Sequence, residues 1–259
     1  MKIINKIRTN DTSQDVSIKV LKREGDFEPL GFQAMEEISV SVYVDGAHIY
    51  DIPCSPEDIP ELITGWALTE TDLSYDDIDT ITLENMPESG CVCRALIATC
   101  GSGKCASVKA SRSIFADMDM TNNGNWQWIY ELQERFDLER PLRKITKASH
   151  SCMLVRMDTE GGTYNGMEVL YQSEDAGRHS AMDKAIGWGI IRDIDMNGCI
   201  LFTSGRISSA MVQKAVSGGV SALATAKPLV TTGAVEIARN NGLLLAGIDE
   251  ETKDIHIFA

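Results

Sequence analysis

The sequence predicts an α/β protein in two parts: a smaller α+β domain over residues 1–145 and a layered α/β domain over residues 146–259. Three observations carry this expectation. Residues 37–54 alternate apolar and polar positions about an Asp45-Gly46 turn signal, which is a hairpin pattern. From residue 151 onward, short aliphatic runs alternate with helix-period segments, the order of a partly parallel sheet covered by helices. A length of 259 residues accommodates one large domain or two modest ones.

Residues 1–35 are polar and weakly patterned, and read as a loose arm or an edge strand. After the hairpin, Ser55 stands as a helix N-cap, Pro56 as the first helical residue and Asp58 in an acidic first turn. Ile59, Leu62, Ile63, Trp66 and Ala67 then share one helical face. Strands follow at 78–84 and 91–98. Residues 99–125 mix Gly, Ser, Cys and Asn, a composition expected of a mobile loop over about 100–124. A short amphipathic helix spans about 125–137. The second half reads as strands at 151–157, 167–172, 198–203, 220–224 and 242–247, with helices at 178–192, 206–217 and 230–240.

Lys and Arg total 24 against 38 Asp and Glu, a net charge of −14 that opposes sequence-independent binding to nucleic acid. The apolar stretches are too short to cross a bilayer and the N-terminus lacks a secretory pattern, so a soluble, cytoplasmic protein is expected, with no membrane partner. Seven cysteines, an odd number, point away from a disulfide framework and towards thiols, a metal site or a reactive sulfur.

Three constellations carry chemistry. In residues 173–188, His179 and Asp183 lie one helical turn apart with Asp175 just before them. That spacing suits a general base, a metal ligand or a proton relay; it equally suits an Asp175 cap with surface ion pairs among Arg178, Asp183 and Lys184. Thr203-Ser204-Gly205-Arg206 stands where a strand hands over to a helix, and first-turn N–H groups there would make an anion cradle. Cys100 and Cys105 flank a Gly-rich segment in which Lys104 would favour a thiolate, able to hold sulfur as a persulfide or to bind a soft metal. Cys91, Cys93, Cys152 and Cys199 read as small buried hydrophobes. His150, at a strand edge, reads as a satisfied structural residue.

Together these segments resemble the formate dehydrogenase accessory sulfurtransferases, FdhD/NarQ. Residues 174–184, E-D-A-G-R-H-S-A-M-D-K, are similar to the family signature E-D-x-G-R-H-N-A-x-D-K, with Ser180 in the Asn place. Residues 204–214 are similar to S-G-R-x-S-x-E-M-V-Q-K, with Ala210 in the Glu place. Residues 54–70 and the tail LLLAGI fit as well. The family loop carries C-G-x-C-G; here Cys100-Gly101 match its start and the next cysteine is Cys105. The family's T-H-x-A becomes Ser149-His150-Ser151-Cys152.

The resemblance implies a C-terminal domain like the cytidine deaminase fold and a homodimer. It also implies a sulfur carrier that takes persulfide sulfur from a cysteine desulfurase. The sulfur passes to the Mo-bis-molybdopterin guanine dinucleotide cofactor before that cofactor enters formate dehydrogenase. On this reading Cys100 and Cys105 carry sulfur, while His150, Asp175, Arg178, His179, Asp183, Lys184, Ser204, Gly205, Arg206, Ile248 and Lys253 bind the cofactor, with no catalytic metal. The alternative is a cofactor-binding chaperone that carries no sulfur.

Overall fold

The computed structural model describes residues 1–7, 12–22, 27–86, 93–100, 113–138, 140–249 and 251–259. Cys91, Lys104 and Cys105, and residues 101–112 of the loop expected over about 100–124, lie outside the described residues.

The predicted hairpin forms: β4 (Ile38–Val44) and β5 (Ala47–Cys54) pair antiparallel across Asp45 and Gly46, both at positive φ, 47° and 85°. That is the left-handed pair a tight hairpin turn requires, and Asp and Gly tolerate it. β1 (Lys2–Asn5), β6 (Ile78–Asn85) and β7 (Cys93–Thr99) complete a five-stranded sheet in the order β1-β6-β7-β4-β5. The N-terminal arm thus contributes an edge strand, and β2 (Ser13–Leu21) and β3 (Phe27–Met35) form a separate two-stranded ribbon. One face of the five-stranded sheet is covered by α1 (Ile59–Glu70), whose Ile59, Leu62, Ile63 and Trp66 pack with Val40, Val42, Ile81 and Leu83.

The helix α1 begins at Ile59, not beside Ser55; its N-cap is Asp58, held at φ 53°. Ser55 is drawn away because its N–H and hydroxyl both donate to Asp175, 3.0 Å each.

The second sheet has six strands in the order β13-β12-β11-β10-β8-β9. These are β8 (His150–Glu160), β9 (Thr163–Asp175), β10 (Cys199–Thr203), β11 (Ala222–Thr225), β12 (Leu244–Ile248) and β13 (Ile255–Ile257). β10, β11 and β12 run parallel; β8 and β13 pair antiparallel to them at either side. Both faces are covered, so the central strands are apolar throughout. On one face lie α4 (Arg178–Ile191), α5 (Ser209–Ser217) and α6 (Thr232–Asn241), over Leu154, Leu201, Leu223 and Leu245. On the other lies α2 (Gln127–Leu138), whose Trp128, Ile129, Leu132 and Phe136 pack on Met153, Val155, Ile200 and Phe202. Although α2 precedes residue 146 in the chain, it packs on the second sheet. The stretch just before it is ordered too: residues 113–126 hold two 3₁₀ turns that bury Phe115, Met118 and Trp126 against the same face.

The two sheets are joined by α1 lying on α4. Two glycines let the backbones touch. A Cβ on Gly65 would stand 1.9 Å from the Asp183 carbonyl oxygen, and one on Gly187 would stand 1.9 Å from that of Glu61. The β2–β3 ribbon was not expected from a stretch read as a loose arm or an edge strand; α3 (Pro141–Thr146) and β13 also escaped, because a six-residue helix and a three-residue strand are too short to show a period.

Candidate functional site

The α1–α4 junction contains charge. Lys184 is wholly buried; its ammonium lies 2.7 Å from Asp175 and donates to the Ser55 hydroxyl at 2.8 Å. Asp175 also accepts from the Gly177 N–H at 2.9 Å. At the neighbouring position of α4, Asp183 is reached by Lys214 from α5 at 2.8 and 2.9 Å; the same ammonium lies 2.6 Å from Glu70 and 3.0 Å from Thr69. Burial raises the Asp183 carboxyl to about 6 against the opposing pull of Lys214 and Thr69. Asp175, Asp183 and Lys184 therefore neither cap α4 nor form surface ion pairs; all three are buried. They staple three helices together, and that fixes the chain between Asp175 and Asp183, which carries Arg178 and His179.

Arg178 and His179, both half-buried, open α4. Arg178 lies over the Ser-Gly-Arg turn so closely that a Cβ on Gly205 would stand 3.1 Å from its side chain. The anion cradle expected of that turn does not form as a helix start. α5 begins at Ser209, and Ile207 instead bridges to Val230, its N–H donating to the Leu229 carbonyl. The N–H groups of Ser204 and Gly205 are likewise satisfied, by the Ser151 carbonyl and the Thr203 hydroxyl. Three N–H groups of the turn, those of Ser204, Gly205 and Ile207, are thus already engaged within the fold.

What the same edge of the sheet does hold is a cleft of about 420 Å³, lined by Arg140, Arg143, Lys144, Ser149, His150, Ser204, Ala226 and Lys227. It lies outside the carboxyl ends of β10 and β11, where open α/β sheets commonly bind ligands. Four of the eight lining residues are cations and none is acidic, in a chain whose net charge is −14. The helix α3 is tethered there by Glu174, whose carboxylate accepts from the N–H groups of Leu142 and Arg143, 2.8 Å each, and from the Ser149 hydroxyl at 2.6 Å. Burial, then Arg178, Arg143 and Arg140, hold His150 below the usual imidazole range, with Asp175 opposing. His179 is held down by burial, Arg178, Lys214 and His150, with Glu70 opposing. Both imidazoles are thus disfavoured as cations, by burial first and by the neighbouring positive charges second.

Of the residues expected to bind a cofactor, the structure brings His150 and Ser204 together in the cleft, with Arg178 and His179 within electrostatic reach of His150. Gly205 is buried beside it and Arg206 is exposed. Ile248 is sealed in the core, and exposed Lys253 closes the turn after β12. Arg140, Arg143, Lys144 and Lys227 were missed. The run R-P-L-R-K at 140–144, basic in an acidic chain, was the available signal.

Cys100 is exposed just past β7; its N–H donates to Asp77, and its sulfur lies 3.0 Å from the Asp76 carbonyl and 3.2 Å from that of Asp77. Cys54, Cys93, Cys152 and Cys199 are buried. Burial pushes the thiols of Cys54 and Cys152 up, and that of Cys199 up to about 11. Cys100 is not among the residues that line the cleft, and it lies far along β4 from Ser55, whose hydroxyl donates to the carbonyl of Glu174, the residue that tethers α3. Cys54 pairs with Ile38 at one end of β4, while Thr99 bonds Asp45 beyond the other. The seven residues of β4 therefore separate Ser55 from Cys100 by roughly 20 Å.

Among the described residues no group of three or more His, Cys, Asp or Glu is placed to hold a metal ion. Among them, too, no helix is long and apolar enough to cross a membrane.

A sequence profile of the FdhD/NarQ family matches residues 35–259. A sulfur carrier protein FdhD of Bacillus pumilus is 25% identical over 244 residues, 87% of this chain and 88% of that one. The protein FdhD of Methanocaldococcus jannaschii is 25% identical over 237 residues, covering 91% and 93%. The crystal structure of a formate dehydrogenase accessory protein from Desulfotalea psychrophila superposes with a TM-score of 0.70 over 96% of this chain and 97% of that one, at 17% identity.

Proposed function

The chain belongs to the FdhD/NarQ family, and we propose that it serves formate dehydrogenase maturation as a sulfur carrier. The Cys100 or Cys105 thiolate displaces the thiolate of a cysteine desulfurase from its sulfane sulfur and becomes a persulfide. That sulfur is then handed to Mo-bis-molybdopterin guanine dinucleotide, cargo whose phosphates the basic cleft receives. Arg140, Arg143, Lys144 and Lys227 supply charge, Ser204 a hydroxyl, and His150 an imidazole that gains a proton as the anion arrives. Arg178 and His179 border the same field, and the buried pairs of Asp175, Lys184 and Asp183 hold them there. The observation that carries the reading is the cleft: a concentration of cations, free of carboxylates in its lining, on a strongly acidic protein. Names of relatives such as that of Bacillus pumilus point the same way.

A second reading, a chaperone that holds the cargo without carrying sulfur, is favoured by the separation of Cys100 from the cleft. Mass spectrometry after incubation with a cysteine desulfurase and cysteine decides between them, using wild type, Cys100→Ala and Cys105→Ala. One added sulfur on the matching peptide, lost in the matching variant, supports the carrier. Uptake by neither cysteine, beside a loaded control relative, leaves the chaperone.

A further inference from the structure

Glu174, the first residue of the motif at 174–184, is not among the residues that line the cleft, yet α3 depends on it. A helix of six residues is marginal by itself in water. Its N-cap, Arg140, makes no side-chain cap, and Pro141 has no N–H to be satisfied. The next two N–H groups, those of Leu142 and Arg143, donate to the two oxygens of Glu174, one each at 2.8 Å. The Ser149 hydroxyl returns to the same carboxylate at 2.6 Å, so one side chain clamps both ends of residues 142–149. The Glu174 carbonyl in turn accepts from the Ser55 hydroxyl at 3.2 Å, and neighbouring Asp175 is locked to Lys184. The helix α3 therefore hangs from the sealed junction.

The cations that α3 brings to the cleft are held by neutral groups. The Lys144 ammonium donates to the Leu138 carbonyl at 2.7 Å. The Arg143 guanidinium donates to the carbonyl of Lys147 and, at 3.4 Å, to that of Ser149. Arg140 lies over the Phe136 ring, 4.8 Å from its centroid. Carbonyl oxygens and a ring face fix a cation in place without cancelling its charge. Glu174 acts from the other side, its carboxylate directed at N–H and hydroxyl donors of the α3 segment.

We propose that Glu174 is the positioning residue of the anion site, an acid that raises the affinity of the cleft for a diphosphate by fixing α3 and, with it, Arg143 and Lys144. The inference rests on the reading of the cleft as the phosphate site. Cations fixed before the ligand arrives spare binding the entropy of ordering two long side chains and a short helix. The sign of the effect separates this role from simple electrostatics. Were Glu174 acting only as a charge, Glu174→Gln would make the surroundings of the cleft less negative and tighten anion binding. As a positioning residue it does the reverse. Glutamine offers a single acceptor oxygen, so one of the two N–H groups loses its partner and α3 loosens.

Calorimetric titration of the full chain with inorganic pyrophosphate, at low and at high salt, tests this. Glu174→Gln is expected to weaken binding about tenfold and to make its salt dependence shallower, because fewer cations are held at the phosphates. Glu168→Gln, the same charge change elsewhere on β9, leaves both unchanged. Without ligand, the amides of residues 142–149 exchange with solvent about tenfold faster or more in Glu174→Gln, while those of α4 keep their protection. Lys227→Ala, which lies outside α3, weakens binding and leaves exchange over 142–149 as in wild type. Affinity kept or tightened in Glu174→Gln, or unaltered exchange over 142–149, overturns the inference; the cleft reading then stands if Lys227→Ala still weakens binding. A wild type that binds no pyrophosphate, or Lys227→Ala binding it as wild type does, overturns the cleft reading and the inference with it.

Discussion

The junction of α1, α4 and α5 and the cleft beside α3 use the same cationic residue types to opposite ends. In the junction, Lys184 and Lys214 are buried and each faces a carboxylate within 3 Å. In the cleft, Arg143, Lys144 and Lys227 converge on a space whose lining holds no acid. A buried charge that is matched holds a fold together, and a cluster that is unmatched stores affinity for an anion. The difference teaches that a charged motif is interpretable only with its partners. The signature residues Asp175, Asp183 and Lys184 are sealed beneath the cleft, and its lining joins Ser149, His150 and Ser204 from other motifs to cations that belong to none.

The largest effect expected from breaking the junction is steric. Gly65→Ala or Gly187→Ala drives a Cβ against backbone that cannot give way, and a loss of at least about 3 kcal/mol in urea denaturation, or no folded protein, is expected. Next is charge. Asp183→Ala leaves Lys214 buried with only Thr69 and the half-exposed Glu70, at a cost of about 3–5 kcal/mol. Paired replacement by apolar residues of similar size, Asp183→Leu with Lys214→Met, recovers most of that loss.

The cleft should answer in the opposite way. Lys227→Ala changes stability by less than about 0.5 kcal/mol, yet weakens guanosine diphosphate binding several-fold by calorimetry and lowers its salt dependence. Equal stability loss at both regions would erase the comparison.

The smallest effect is the pH response. His150 and His179 are held neutral below the usual imidazole range, by burial first and then by the surrounding cations. Because their folded values are depressed, the stability they contribute is present above about 6.5 and is lost as pH falls through the folded values. A bound phosphate reverses the field, so binding takes up protons. Guanosine diphosphate affinity should therefore rise as pH is lowered from 7.5 to 6, and His150→Ala should flatten that rise.

The hairpin at Asp45-Gly46, the apolar stripe of α1 and the strand–helix order after residue 151 were legible from the chain alone. Turn chemistry and hydrophobic period act over a few residues and carry their own signal. The family resemblance was legible because the motif at 174–184 is contiguous. The role of that motif was not. Asp175 meets Ser55 across 120 positions of sequence, and Asp183 meets Lys214 across 31. Nor was the cleft, which forms only when a six-residue helix, the end of β10 and the turn after β11 converge. Local sequence determined which elements form and in what order. Tertiary packing alone decided which charges are sealed with a partner and which face an open cleft, because the free energy of a charge depends on what surrounds it, and its neighbours in space are distant in sequence.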